Sequence, residues 1–143
     1  MKKVSKSQVA QRQILTFKLM KFFQKIISRA RPIMIENSRV PVFLSFFAPI
    51  TIWAISFGPF VWCRGKMTEE TKRHETIHYH QHLELLFVGF WLLYVSFWVR
   101  GLFKKQDGAE SYRSNPFEVE AYSHEAEADY LEQRQLFSWT RYI

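Results

Sequence analysis

Apolar residues recur at helical spacing near the start of the chain. Leu15, Leu19, Phe22, Phe23 and Ile26 fall on one face of a helix expected from about residue 5 to 30, and Lys18, Lys21, Lys25 and Arg29 form a stripe on another. Arg31-Pro32 ends it, because a residue before proline is pushed out of the helical region. A polar link of Glu36, Asn37, Ser38 and Arg39 leads into residues 40–63, which carry no charge. That stretch has two readings. Its length makes it a candidate bilayer-spanning helix. Pro41, Pro49, Pro59, Gly58 and the β-favouring run 50–55 instead predict short buried strands joined by turns.

After Gly65, Thr68 is placed to cap a helix whose first turn holds Glu69 and Glu70. This helix passes through the histidines and can run on through residues 83–103, where the charges are Glu84 and Arg100 and Gly89 is a candidate bend. Residues 104–114, with Asp107-Gly108, read as a loop. Asn115-Pro116 then opens a last helix, as cap and first helical residue, continuing to about residue 136. The expected fold class is α+β and mainly helical, with a short apolar hairpin against a pair of helices.

Composition adds a polarity to this layout. Of the net +7, residues 1–31 carry nine Lys/Arg and no acid, which leaves 11 basic against 13 acidic residues beyond them, or −2. A basic arm on a near-neutral body points to an anionic surface. The aromatic residues sit inside apolar runs and are not interleaved with Lys/Arg, so a membrane surface fits better than nucleic acid. The expectation is a membrane-surface arm at 1–31 and a second unit at 40–143. The single cysteine, Cys63, excludes an intramolecular disulfide framework and reads as a buried thiol.

The segment His74-Glu75-Thr76-Ile77-His78 fits H-E-x-x-H on a helix. Two histidines four residues apart lie one turn above each other, so both imidazoles reach one zinc at about 2.0–2.1 Å. The intervening Glu75 is then placed to act as general base on a water that zinc acidifies. Gln81, His82 and Leu85 share the same face, with His82 as a candidate supporting donor; His80 points nearly opposite and reads as exposed or interfacial. A catalytic zinc needs a third protein ligand. Glu118, Tyr122, Glu125, Asp129 and Glu132 fall at offsets of 0, 4, 7, 11 and 14, one polar stripe on the last helix, from which Glu120 points away. Glu118 could ligate or could close a capping box with Asn115.

From His74 to the C-terminus the chain resembles a group of small bacterial and phage proteins of gluzincin-like metallopeptidase type. The matching residues are His74–Glu75–Thr76–Ile77–His78, then Gln81 with Leu83-Glu84-Leu85-Leu86, then Asn115-Pro116-Phe117-Glu118-Val119-Glu120-Ala121-Tyr122. Tyr130-Leu131, Arg134 and the aromatic tail to Tyr142 fit as well, and residues 50–64 resemble the preceding strands more loosely. The resemblance implies His74, His78 and Glu118 as zinc ligands and Glu75 as base. In better-known gluzincins the ligand glutamate is followed four residues later by an aspartate; here Glu118 is followed by Tyr122, whereas Glu125 is followed by Asp129. Glu125 is therefore a rival third ligand, and Tyr122 or Asp129 a candidate orienting group.

The expected function is a membrane-associated zinc hydrolase that cleaves peptide bonds at the cytoplasmic face. The alternative is a non-catalytic membrane or assembly protein with a structural or degenerate metal site. Residues 83–103 are not expected to cross a bilayer as one span, since the 15 uncharged residues 85–99 reach only about 22 Å. A crossing would also part His78 from Glu118. A bend near Gly89, or an interfacial helix with Trp91, Tyr94 and Trp98 at headgroup depth, keeps both on one side.

Overall fold

The computed structural model describes residues 6–48, 50–104 and 107–143. Lys2 and Lys3 of the basic arm, Pro49, and residues 105 and 106 of the expected loop lie outside the described residues. The chain is mainly helical with one small sheet, as an α+β pattern requires.

Helix α1 (Lys6–Arg29) stops before Arg31-Pro32 as the sequence predicts. Next comes a strand to which the sequence reading assigned no element, β1 (Ile33–Ile35), just before the polar link. The uncharged run is neither one helix nor strands throughout. A short helix α2 (Val40–Leu44) with Pro41 in its first turn precedes the hairpin β2 (Ala54–Phe57) and β3 (Phe60–Cys63). Gly58 makes the hairpin turn with φ +61°, a conformation that a side chain disfavours and that a two-residue hairpin requires. Strand β3 is central, antiparallel to β2 and parallel to β1, with Met34 opposite Val61 and Ser56 opposite Val61 on the other side. Val61, Cys63 and Met67 bury the inner face.

Helix α3 (Glu69–Glu84) starts where Thr68 predicts, its hydroxyl accepting from Thr71 N at 3.1 Å. Eight of its residues from His74 to His82 are buried, seven of them polar, so this helix is the polar centre of the molecule. It does not continue into the apolar stretch. Leu86 and Phe87 take φ of 52° and 58°, and helix α4 (Val88–Phe103) leaves at 112° to α3. Phe87 N donates to His82 O at 2.8 Å, the long bond of a Schellman-type helix end, and Val88 N to Leu86 O at 2.6 Å. The bend thus precedes Gly89, which is helical. No single helix among the described residues is long and apolar enough to cross a membrane.

The expected loop contains helix α5 (Gly108–Arg113), because Asp107 accepts from Glu110 N at 2.7 Å and acts as an N-cap where a turn was expected. Helix α6 (Pro116–His124) has the predicted cap, Asn115, and first residue, Pro116, but ends far short of residue 136. The Glu125 carbonyl accepts from Arg73 Nε at 2.6 Å, a tertiary bond where a longer helix would place an internal one. The chain turns into α7 (Tyr130–Gln133) and a 3₁₀ turn at Ser138–Tyr142. Trp139 packs with Phe117 and Phe90, joining the tail to α6 and α4.

Candidate metal centre

Three buried side chains from two helices meet at one point. His74 and His78 project from one face of α3, their Nε2 atoms 3.1 Å apart. Glu118, near the start of α6, brings Oε1 to 3.4 Å from His78 Nε2 and Oε2 to 3.6 Å from His74 Nε2. Together they form a group able to hold a metal ion. Glu118 closes no capping box; Asn115 caps α6 by accepting from Phe117 N at 3.3 Å, which frees the carboxylate to face the histidines.

The hydrogen bonds behind the imidazoles fix which nitrogens face inward. Gln81 Nε2 donates to Phe117 O at 3.1 Å and to Glu120 Oε2 at 2.9 Å, so the amide oxygen is the atom left to meet His78 Nδ1 at 2.8 Å. An oxygen there accepts, so Nδ1 of His78 carries the proton and Nε2 presents a lone pair. On His74 the Glu125 carboxylate does the same, 2.8 Å from Nδ1. Tyr94 from α4 donates to Glu118 Oε1 at 2.7 Å, while Oε2 of Glu118 is buried with no hydrogen-bond partner. Two lone pairs and a carboxylate converging in a buried space repel one another unless positive charge lies between them.

The electrostatics express the same demand. Burial lowers the pKa of His78, but the Glu118 carboxylate outweighs it and holds the imidazole up at about 9. Burial raises that of Glu118, and His78 and His74 together pull it well below the usual carboxylate range. A proton can supply the missing charge to one nitrogen; a divalent cation supplies it to all three groups at once.

Glu75 is buried beside this group, and its Oε2 has no hydrogen-bond partner. Burial drives its pKa above the ordinary value, against the opposing pull of His78 and His74. A cavity of about 960 Å³ lies over the group, walled by Phe90, Trp91 and Tyr94 of α4 and by Ile52, Trp53 and Ile55 beside the sheet. The bend between α3 and α4 brings these aromatic rings over the histidines. Trp91 and Tyr94 thus line the cavity, Tyr94 donates to Glu118 Oε1, and Trp98 Nε1 donates to Gly108 O at 3.0 Å.

The other expected site residues divide. Glu125 stands behind His74 and is not one of the three converging groups. Tyr122 packs its ring against His74, centroids 4.6 Å apart, with its hydroxyl 3.3 Å from Tyr112. His82 is fully buried on the cavity wall, its ring on Phe90 at 4.0 Å; neither nitrogen has a partner, and burial followed by His78 lowers its pKa to about 3. Asp129 is exposed and bonds Gln133, far from the site in the hydrogen-bond network, because α6 ends before the stripe reaches it. The expectation for His80 is corrected: it is 1% exposed, its Nε2 donating to Ala30 O at 3.0 Å where the end of α1 covers it.

Sequence reasoning missed the support behind the converging side chains. Glu120 does point away from the site, but into a buried cluster where Arg134 holds Glu120 and Glu84 together. Tyr130 donates to Glu120 Oε1 at 2.7 Å. The available signal was a charged residue inside each of three otherwise core-facing segments. Comparison with protein-family models, curated proteins and solved structures finds no match to this chain.

Proposed function

We propose that this protein is a zinc-dependent hydrolase of gluzincin-like type that cleaves peptide or related amide bonds, with His74, His78 and Glu118 as ligands and Glu75 as general base. The observation that carries the reading is the convergence of three buried donors whose tautomers and hydrogen bonds leave lone pairs turned inward. The two Nε2 atoms are 3.1 Å apart and each has a Glu118 oxygen at 3.4 or 3.6 Å, Oε1 for His78 and Oε2 for His74, spacings on the scale of the edges of about 3.3–3.4 Å in a tetrahedron with ligand distances of about 2.0–2.1 Å. Two imidazoles and a carboxylate suit zinc, and three protein ligands leave a fourth position for chemistry.

A bound zinc supplies Lewis acidity, which makes water nucleophilic near neutral pH and polarises a carbonyl. Glu75, on the same helix face and without a hydrogen-bond partner on Oε2, takes a proton from the attacking water and returns it to the leaving amine. Burial raises its pKa above the ordinary carboxylate value, which strengthens it as a proton acceptor. Tyr94 holds Glu118 in place, Gln81 and Glu125 hold the imidazoles, and aromatic side chains wall the cavity above them.

The test combines metal analysis with hydrolysis of a quenched-fluorescent peptide library. Purified protein carries stoichiometric zinc, His78→Ala loses it, and Glu75→Gln keeps it while hydrolysis falls by about 10²–10⁴. Protein that takes up no zinc, or full activity in Glu75→Gln, overturns the proposal.

A further inference from the structure

Helix α1 is joined to the rest of the molecule near its C-terminal end. Gln24 Nε2 donates to Arg134 O at 3.3 Å, Ala30 O accepts from His80, and Gln24, Ile27 and Ser28 are half-buried. Along the remainder, large apolar side chains stand in solvent on several sides, Ile14, Phe17 and Met20 among them, and the most exposed, Leu15 at 67% and Phe22 at 60%, share one face with Leu19 at 53% and Ile26 at 49%. At about 100° per residue these four fall within an arc of about 60°, on the side turned away from Gln24, Ile27 and Ser28. Lys18, Lys21, Lys25 and Arg29 occupy the neighbouring arc of about 80°. No acidic residue occurs anywhere in α1.

We infer that α1 docks flat on an anionic lipid bilayer, with Leu15, Leu19, Phe22 and Ile26 entering the acyl boundary and Lys18, Lys21, Lys25 and Arg29 meeting lipid phosphates. The charge pattern selects this occupant. A second copy of α1 would bring like charges together beside the apolar stripe, with no acid to answer them. A nucleic acid would answer the lysines but leave the adjacent aliphatic face in water. A bilayer surface satisfies both arcs at once, and the helix, about 36 Å long, lies in the interface because six charges forbid it to span. The attraction is worth about fivefold in partitioning for each Lys or Arg near the surface.

Co-sedimentation with vesicles tests this on the full chain. The protein pellets with phosphatidylcholine vesicles that carry phosphatidylglycerol, and does so less as salt rises. Reversing all four charges (K18E, K21E, K25E, R29E) weakens binding by about 10²-fold or more. Leu15→Gln with Phe22→Gln weakens it while every positive charge remains. Since all six side chains are exposed, circular dichroism and unfolding midpoints stay at wild-type values. Equal binding to phosphatidylcholine alone, insensitivity to either set of changes, a lipid-free dimer that the glutamine changes dissociate without vesicle binding, or binding of RNA oligonucleotides but not vesicles would each overturn the inference. Zinc content and hydrolysis do not enter this test, so it stands or falls apart from the metal centre.

Discussion

Helix α3 buries polar side chains on two faces, and the faces solve the same problem differently. On one, Glu84 meets Arg134, which also binds Glu120, and Gln81 and Tyr130 take the remaining Glu120 valences. Every carboxylate there has a cation or a donor, all from within the chain. On the other face, His74, His78 and Glu118 point acceptor atoms at one another, and Glu75 Oε2 and Glu118 Oε2 have no hydrogen-bond partner. Burial is the same; what differs is whether the positive charge comes from an arginine. A buried polar cluster that closes on itself is scaffolding, and one that converges without a cation is a site for one.

The largest expected effect follows from removing the internal cation. Arg134→Met leaves Glu84 and Glu120 buried without their partner and should cost about 3–5 kcal/mol in denaturant unfolding. Glu118→Gln should cost the metal-free protein far less, because the carboxylate's partner there is a histidine that can give up its proton, so no buried charge is left unpaired. Equal losses would mean that the two faces are equally self-sufficient, and the comparison fails. Added zinc sharpens it from the other side. At about 1,000 times its dissociation constant, zinc should stabilise the wild type by about 4 kcal/mol, reversibly with chelator, and should leave Glu118→Gln unmoved.

Acid separates the faces in a third way. Burial lowers the His80 pKa to about 4, so the folded protein keeps this imidazole neutral under the end of α1. Above pH 6.5 it is neutral folded or unfolded and costs nothing. Between 6.5 and 4 the unfolded chain takes up a proton that the folded one refuses, so stability falls as pH falls, by about 3 kcal/mol in all. His80→Gln, which keeps a donor for the Ala30 carbonyl, should lack this part of the acid loss when metal-free proteins are unfolded across that range. An unchanged profile would mean that His80 is not buried as described.

The H-E-x-x-H spacing and the N-caps at Thr68 and Asn115 were legible in the sequence because each depends on neighbours within one or two turns. The third converging group, the Glu118 carboxylate, was legible as one of two candidates. What the sequence hid depends on distant residues. Leu86 and Phe87 make the sharp bend that the pattern assigned to Gly89, because the Schellman bond to His82 and the packing of Phe90 and Trp139 hold leucine in a conformation that glycine usually supplies. Asp129 dropped out because the Arg73 bond to the Glu125 carbonyl ends α6. His80 and Glu120, read as facing away, do face away from the histidine pair, but toward α1 and Arg134, which no local spacing could reveal.

The smallest effect concerns the two residues that hold the imidazoles, and it decides the remaining role of Glu125. Gln81 is fully buried, and its amide is pinned by Phe117 O and Glu120, so His78 has no other acceptor to turn to; Gln81→Leu should weaken zinc binding by about 10–100-fold. The Glu125 side chain is 32% exposed, and its backbone is held independently by Arg73. In Glu125→Gln the amide oxygen still accepts from His74 Nδ1, and water can replace the acceptor if it turns away. What is lost is a partly solvated negative charge behind the ligand, so zinc affinity should fall by less than about tenfold. Competition with a chromophoric chelator measures both. A ligand behaves otherwise: its replacement removes a bond to the metal, as Glu118→Gln should show by abolishing stoichiometric binding. If Glu125→Gln abolished binding while Glu118→Gln retained it, then Glu125 would be the third ligand, and α6 would have to rotate its carboxylates relative to the histidines when metal binds.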